Sequence, residues 1–185
     1  QLQYLTSELL LRLTAIGSGL LLLNRALLHP TWHPLQAHVD GLVMLAALFS
    51  GTILYLRSRQ RLGGITVFGL PLLTLIFAWA ICASWWTFQP FAISSVWNTV
   101  HLTSVYTGTL CSAVAAIAGG AFLYLQTRLR HKTSPVNLRP MGSLERLESL
   151  IVTAATLGFG LLSLGLIAGL IIITSRDGAT RLGPG

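Results

Sequence analysis

The run VWNTVHLTSVYTGTLCSAVAAIAGGAFLYLQTRL, from Val96 to Leu129, carries no Asp, Glu, Lys or Arg before Arg128. A helix rises about 1.5 Å per residue, so this run is long enough to cross the roughly 30 Å hydrocarbon core of a bilayer. It holds one histidine, His101, about one turn inside its first end. Steps of three and then of four from His101 give Ser104, Gly108, Ser112, Ala116 and Gly120. At about 100° per residue these small side chains form one ridge with the imidazole at its head. Lipid gains nothing from such a ridge, which predicts that it faces protein or a flat ligand. His101 then has two readings: an axial ligand above a groove that admits a tetrapyrrole, or a histidine hydrogen-bonded at the membrane surface.

Composition agrees with a membrane setting. Hydrophobic residues make up 53% of the 185 and charged residues 9%, against about 25% charged in soluble domains. The net charge of +7 would suit nucleic acid if the cations shared one surface. They fall instead between apolar runs and read as topology signals, which excludes a nucleic-acid partner. Cys82 and Cys111 lie inside apolar runs, and without a CxxC or CxxCH neither a redox pair nor covalent haem attachment is encoded. A start at Gln1 rather than Met is expected of a processed or partial chain.

An all-α, polytopic integral membrane protein of about five transmembrane helices follows. The first helix is expected over Leu5–Leu28, with Glu8 and Arg12 paired four residues apart, and it ends at HPTWHP, where Pro30 and Pro34 stop propagation. The second spans Val39–Leu56 and closes on RSRQR. The third spans Ile65–Trp86, with Pro71 inside it. The fourth is Val96–Leu129, ending in RLRHK. After a polar linker and a short amphipathic piece around SLERLE, the fifth spans Leu150–Thr174, with Gly158, Gly165 and Gly169 at close-packing spacing. Residues 1–174 then form a single transmembrane domain, and 175–185 a flexible polar tail.

Arg57, Arg59 and Arg61 lie in the second loop, and Arg128, Arg130, Lys132, Arg139 and Arg146 in or beside the fourth. Alternating helices put these loops on one side, and the excess of cations makes that side the cytoplasm, with the amino terminus inside and the carboxyl terminus outside. His29, His33, His38 and His101 then fall at the outer face, as do the five tryptophans, Trp32, Trp79, Trp85, Trp86 and Trp97. The tryptophans are read either as an interfacial belt or as part of an outer-leaflet ligand pocket. His29, His33 and His38 sit around two prolines that break the helical register, and with Asp40 they do not form a known transition-metal pattern. No metal is expected beyond haem iron. His38 and His101 each open a helix at the outer side and could approach one haem from two faces. Trp97, one turn before His101, would flank the ring edge, and Arg25 would reach a propionate.

Enzyme chemistry has no foothold: no Ser-His-Asp pattern, metalloprotease motif or phosphate loop is present, and no carboxylate sits mid-membrane to relay protons.

The fourth and fifth helices carry a resemblance. VHLTSVYTGTLCSAVAAIAGGAFLYLQTRLRHK is similar, at His101, Tyr106, Ala118, Tyr124, Leu125 and Gln126, to a motif of the cytochrome c assembly protein family. RPMGSLERLESLIVTAATLGFGLLSLGLIAG matches that family's next block at Pro140, Leu144, Glu145, Leu147, Gly158, Phe159, Leu161, Leu162, Leu164, Gly165, Leu166 and Gly169. The two blocks come in the family's order and spacing, and look closest to the HemX/YpjD branch of these CcsA-like haem handlers. The resemblance implies non-covalent haem at the outer face of a bacterial inner or organellar membrane. It implies His101 as the first external haem ligand, places His29 near another histidine position, and points to subunits of a cytochrome-assembly or respiratory or photosynthetic complex as partners. It also implies about three further helices, a Trp-rich motif and a second external histidine, none of which lies within residues 1–185, so the chain is expected to be truncated relative to the family. The alternative is a cofactor-free accessory subunit packed, through its small-residue ridges, against a larger membrane complex.

Overall fold

The structure is a computed structural model that describes residues 2–28, 38–59, 65–85, 96–130 and 144–181. The regular structure among these residues is helical: α1 (Leu2–Leu28), α2 (His38–Arg59), α3 (Ile65–Ser84), α4 (Val96–Arg130) and α5 (Leu144–Arg181). All five are long and apolar enough to cross a membrane. Their outward faces bear large apolar side chains, among them Leu13, Leu20, Leu27, Val67, Leu75, Phe159 and Leu166, all exposed. In water such a surface would drive aggregation; in a bilayer, lipid is its solvent.

Two boundaries differ from the sequence expectation by more than one helical turn, both of them in α5. The amphipathic SLERLE piece is not separate, and α5 does not end at Thr174; one helix of 38 residues runs through both. No proline interrupts 144–181, Glu145 stands in the first turn where a carboxylate complements the helix dipole, and Gly178, the one glycine of 175–181, costs only about 1 kcal/mol. Segment 175–181 therefore continues the helix instead of opening the tail. In α3, Pro71 removes one backbone donor, and Thr74 Oγ1 donates to the Pro71 carbonyl at 2.7 Å.

α1 and α2 form an antiparallel hairpin with an ion pair at each end. Glu8 Oε2 lies 2.9 Å from Arg57 Nη2 at one end, and Asp40 Oδ1 lies 2.6 Å from Arg25 Nη1 at the other. The expected Glu8–Arg12 pair also forms. α3 packs beside α2, and a core of Leu11, Phe49, Ile53, Leu56, Ile65, Leu73, Val114, Ile117 and Ala121 joins α1–α3 to one face of α4. α4 meets α5 on its other face, and α4 is the one helix against which α5 packs extensively. The buried Ser18 and Ser50 hydroxyls are satisfied within their own helices, donating to Thr14 O (2.6 Å) and Ala47 O (2.9 Å).

Candidate functional site

The α4–α5 contact is built from residues too small to hold the helices apart. A Cβ on Gly108 would come 3.0 Å from the Leu162 backbone nitrogen, and one on Gly158 would come 3.1 Å from that of Ser112 and 3.2 Å from the Gly108 carbonyl oxygen. Further up, a Cβ on Gly165 would meet Val105 Cγ2 at 2.9 Å. Backbone therefore lies almost on backbone, where dispersion between closely matched surfaces replaces lipid contacts.

The expected ridge is only partly one surface. Ser104 and Gly108 are buried and Ser112 half-buried on the α5 side, but Ala116 is exposed and Gly120 faces the Phe68 ring of α3, 3.1 Å from where its Cβ would stand. Each step of four residues overshoots a full turn by about 40°, so the row winds around α4 and leaves α5 for α3.

His101 sits at the head of the seam, and its surroundings are specific. Nδ1 lies 2.7 Å from the Gly165 carbonyl oxygen of α5. A Cβ on Gly169 would approach ring atoms Cε1 and Nδ1 to 3.1 Å, so the absence of a side chain there makes room for the imidazole. A carbonyl can only accept, so Nδ1 carries a proton, and in the imidazole tautomer this selects the lone pair lies on Nε2. Histidines that bind metals are commonly oriented in this way, with the other ring nitrogen donating to a backbone carbonyl. The same bond also serves a purely structural role, contributing about 0.6 to 1.7 kcal/mol between membrane helices. The ring is half-buried.

The other expected site residues are placed less closely together. α2 and α4 run parallel, and the Tyr106 hydroxyl presses against Gly41, where no Cβ could fit. His38 lies three residues before Gly41 and His101 five before Tyr106, about 5 and about 8 Å towards the same end, so the two histidines sit at comparable depth. Their directions differ. Tyr106 is rotated about 140° from His101 around α4, which turns Tyr106 to α2 and His101 to α5. The His38 side chain, His29 and His33 lie outside the described residues, as do His131, Trp32 and Trp86. Trp97 is 46% exposed one turn before His101. Arg25, half-exposed, is held by the buried Asp40. Among the described residues no three His, Cys, Asp or Glu side chains converge as a metal site.

The residues present fit one axial ligand of a haem, His101 through Nε2. Sequence reasoning missed the acceptor of its Nδ1 proton, the seat at Gly169 and the Tyr106–Gly41 contact. The spacing of Gly158, Gly165 and Gly169 gave a signal for close packing but not for its partner, since a glycine row does not say which helix it meets. No family model, curated protein or solved structure matches this chain.

Proposed function

We propose that this membrane protein handles haem in the manner of the cytochrome c assembly proteins, binding or presenting it at the outer membrane face with His101 as an axial ligand. The observation that carries the reading is the Nδ1 bond to the Gly165 carbonyl, which fixes the tautomer and orientation that leave Nε2 free to donate its lone pair. His101 Nε2 would give that lone pair to the iron of a bound haem, and the chemistry the haem would supply is one-electron exchange. The chain's residues hold the imidazole: Gly165 sets its tautomer, Gly169 gives it room, and the Ser104–Gly108–Ser112 surface fixes the helix that carries it. Arg25, steadied by Asp40, would reach a propionate through its exposed half, and Trp97, one turn before His101, would flank the ring edge. His38 and His29 are the candidates for the iron's other face. The membrane is bacterial inner or organellar, and the partners are other subunits of a cytochrome-assembly or energy-transducing complex.

Retention of haem through purification tests this residue by residue. His101→Ala is expected to abolish it, His38→Ala or His29→Ala to weaken it, and His33→Ala to leave it intact. Equal retention in wild type and His101→Ala would contradict the assignment.

The second reading is a cofactor-free accessory subunit. It is favoured by the bond itself, which already satisfies His101 between helices, and by the sparse burial of α1 and α5, at 11% and 17% of their membrane windows. In both readings the basic loops face the cytoplasm. Ser58→Cys and Ser94→Cys, in a background without Cys82 and Cys111, are then expected to label from opposite sides, Ser58→Cys from within. Labelling of both from one side would overturn that orientation.

A further inference from the structure

At the end of the bundle away from His101, α2 and α3 meet in a corner. A Cβ on Gly69 would come 2.5 Å from Ile53 Cδ1, and Leu56 and Ile65 belong to the same buried core. Four residues on from Ile53 and three back from Gly69 bring Arg57 and Thr66 level, each about 5–6 Å along its helix from that contact. Both carry a buried donor with no hydrogen-bond partner: Arg57 Nη1 and Thr66 Oγ1. The Arg57 side chain is 19% exposed, and Thr66 is 4% exposed.

Thr66 departs from the pattern of this chain. Thr14, Thr52 and Thr127 each donate to the carbonyl four residues back, whereas the Thr66 hydroxyl, at the second position of α3, makes no such bond. The first-turn N–H groups of α3 also lack acceptors within the helix. The carboxylate that reaches Arg57, Glu8, is shared with Arg12, so two guanidinium groups stand against one negative charge. Donors and positive charge are both in excess here, and what is missing is an acceptor.

We propose that this corner binds an oxyanion of the phosphate class, held by Arg57 Nη1, the Thr66 hydroxyl and the first-turn amides of α3. A helix N-terminus adds its partial positive charge, and a guanidinium is well suited to a phosphate oxygen. The chemistry is shared by a phospholipid headgroup and by free phosphate. The site is independent of haem and lies at the opposite end of α4 from His101.

The test uses the full chain, delipidated in a maltoside detergent, with thermal melting followed as phosphatidylglycerol, or inorganic phosphate against chloride at equal ionic strength, is added. Wild type is expected to melt at a higher temperature with the ligand. Arg57→Lys, which keeps a cation for Glu8 but loses the second arm, and Thr66→Val, which removes only the hydroxyl, are each expected to need about tenfold more ligand for the same rise. A rise with lipid alone assigns a headgroup, and a rise with both assigns phosphate in general. No rise with either probe, or equal rises in wild type and both variants, overturns the proposal. So does a Thr66→Val protein that melts higher without ligand and binds lipid as tightly as wild type, because the hydroxyl would then be a packing defect only.

Discussion

The Gly158→Leu variant is expected to lose the docking of α5 on α4, while Gly160→Leu, two residues away, keeps it. The side chain at 158 would begin 2.8 Å from Ser112 Oγ and 3.1 Å from the Ser112 backbone nitrogen, and the backbone cannot move aside. The whole helix has to back away, opening the seam along Gly108 and Leu162 up to the His101–Gly165 bond. Overpacking of this kind costs about 1–3 kcal/mol in a core that can yield, and more where backbone is the obstacle. Among the described residues α5 packs extensively on α4 alone, so loosening this seam removes most of what holds it. At Gly160 nothing lies within 4 Å, so leucine there meets lipid and gains helix propensity. Melting temperature and monodispersity in mild detergent read the difference. Gly108→Leu should follow Gly158→Leu, and Leu123→Ala, at an exposed position, should follow Gly160→Leu. Equal tolerance at all four positions would remove the seam from the account.

The second large effect is expected at the Arg25–Asp40 pair, and it is asymmetric. Asp40 is 4% exposed at its side chain and Arg25 is 52% exposed. Arg25→Ala leaves a buried carboxylate without its cation, a loss of about 3–5 kcal/mol for buried pairs. Asp40→Asn leaves an arginine that already reaches the surface, and should cost clearly less. The double variant should recover much of the Arg25→Ala loss, because neutralising position 40 removes the stranded charge. Chemical or thermal melting of the three proteins checks the ordering; equal losses in the two single variants would show that the burial of Asp40 is not what the pair answers to.

The helices were legible because their signals are local. Uninterrupted apolar runs, prolines at 30 and 34 and basic clusters at 57–61 and 128–132 mark spans and ends whatever surrounds them. The ends of α5 are not legible because polar residues at 144–149 and 175–181 look like linker and tail, whereas polarity alone does not stop a nucleated helix as proline does. The site was legible as a position and not as a set of contacts. His101 above small residues was readable from spacing, and so was the drift of about 40° per step that winds the row around α4, but the point at which that drift leaves α5 depends on the crossing of two helices, which no single helix encodes. The acceptor at Gly165 and the Asp40 partner of Arg25 are contacts between helices, set by tertiary packing.

The most direct measurement is the visible absorption spectrum of the purified full chain titrated with haem, oxidised and then reduced, beside His101→Ala. A haem-handling protein with His101 as ligand predicts a saturable Soret band with sharp bands on reduction in wild type, and their loss in the variant while the melting temperature falls only by the few degrees that one interhelical hydrogen bond supplies. A featureless wild-type spectrum beyond free haem, or identical spectra for the two proteins, would contradict the account.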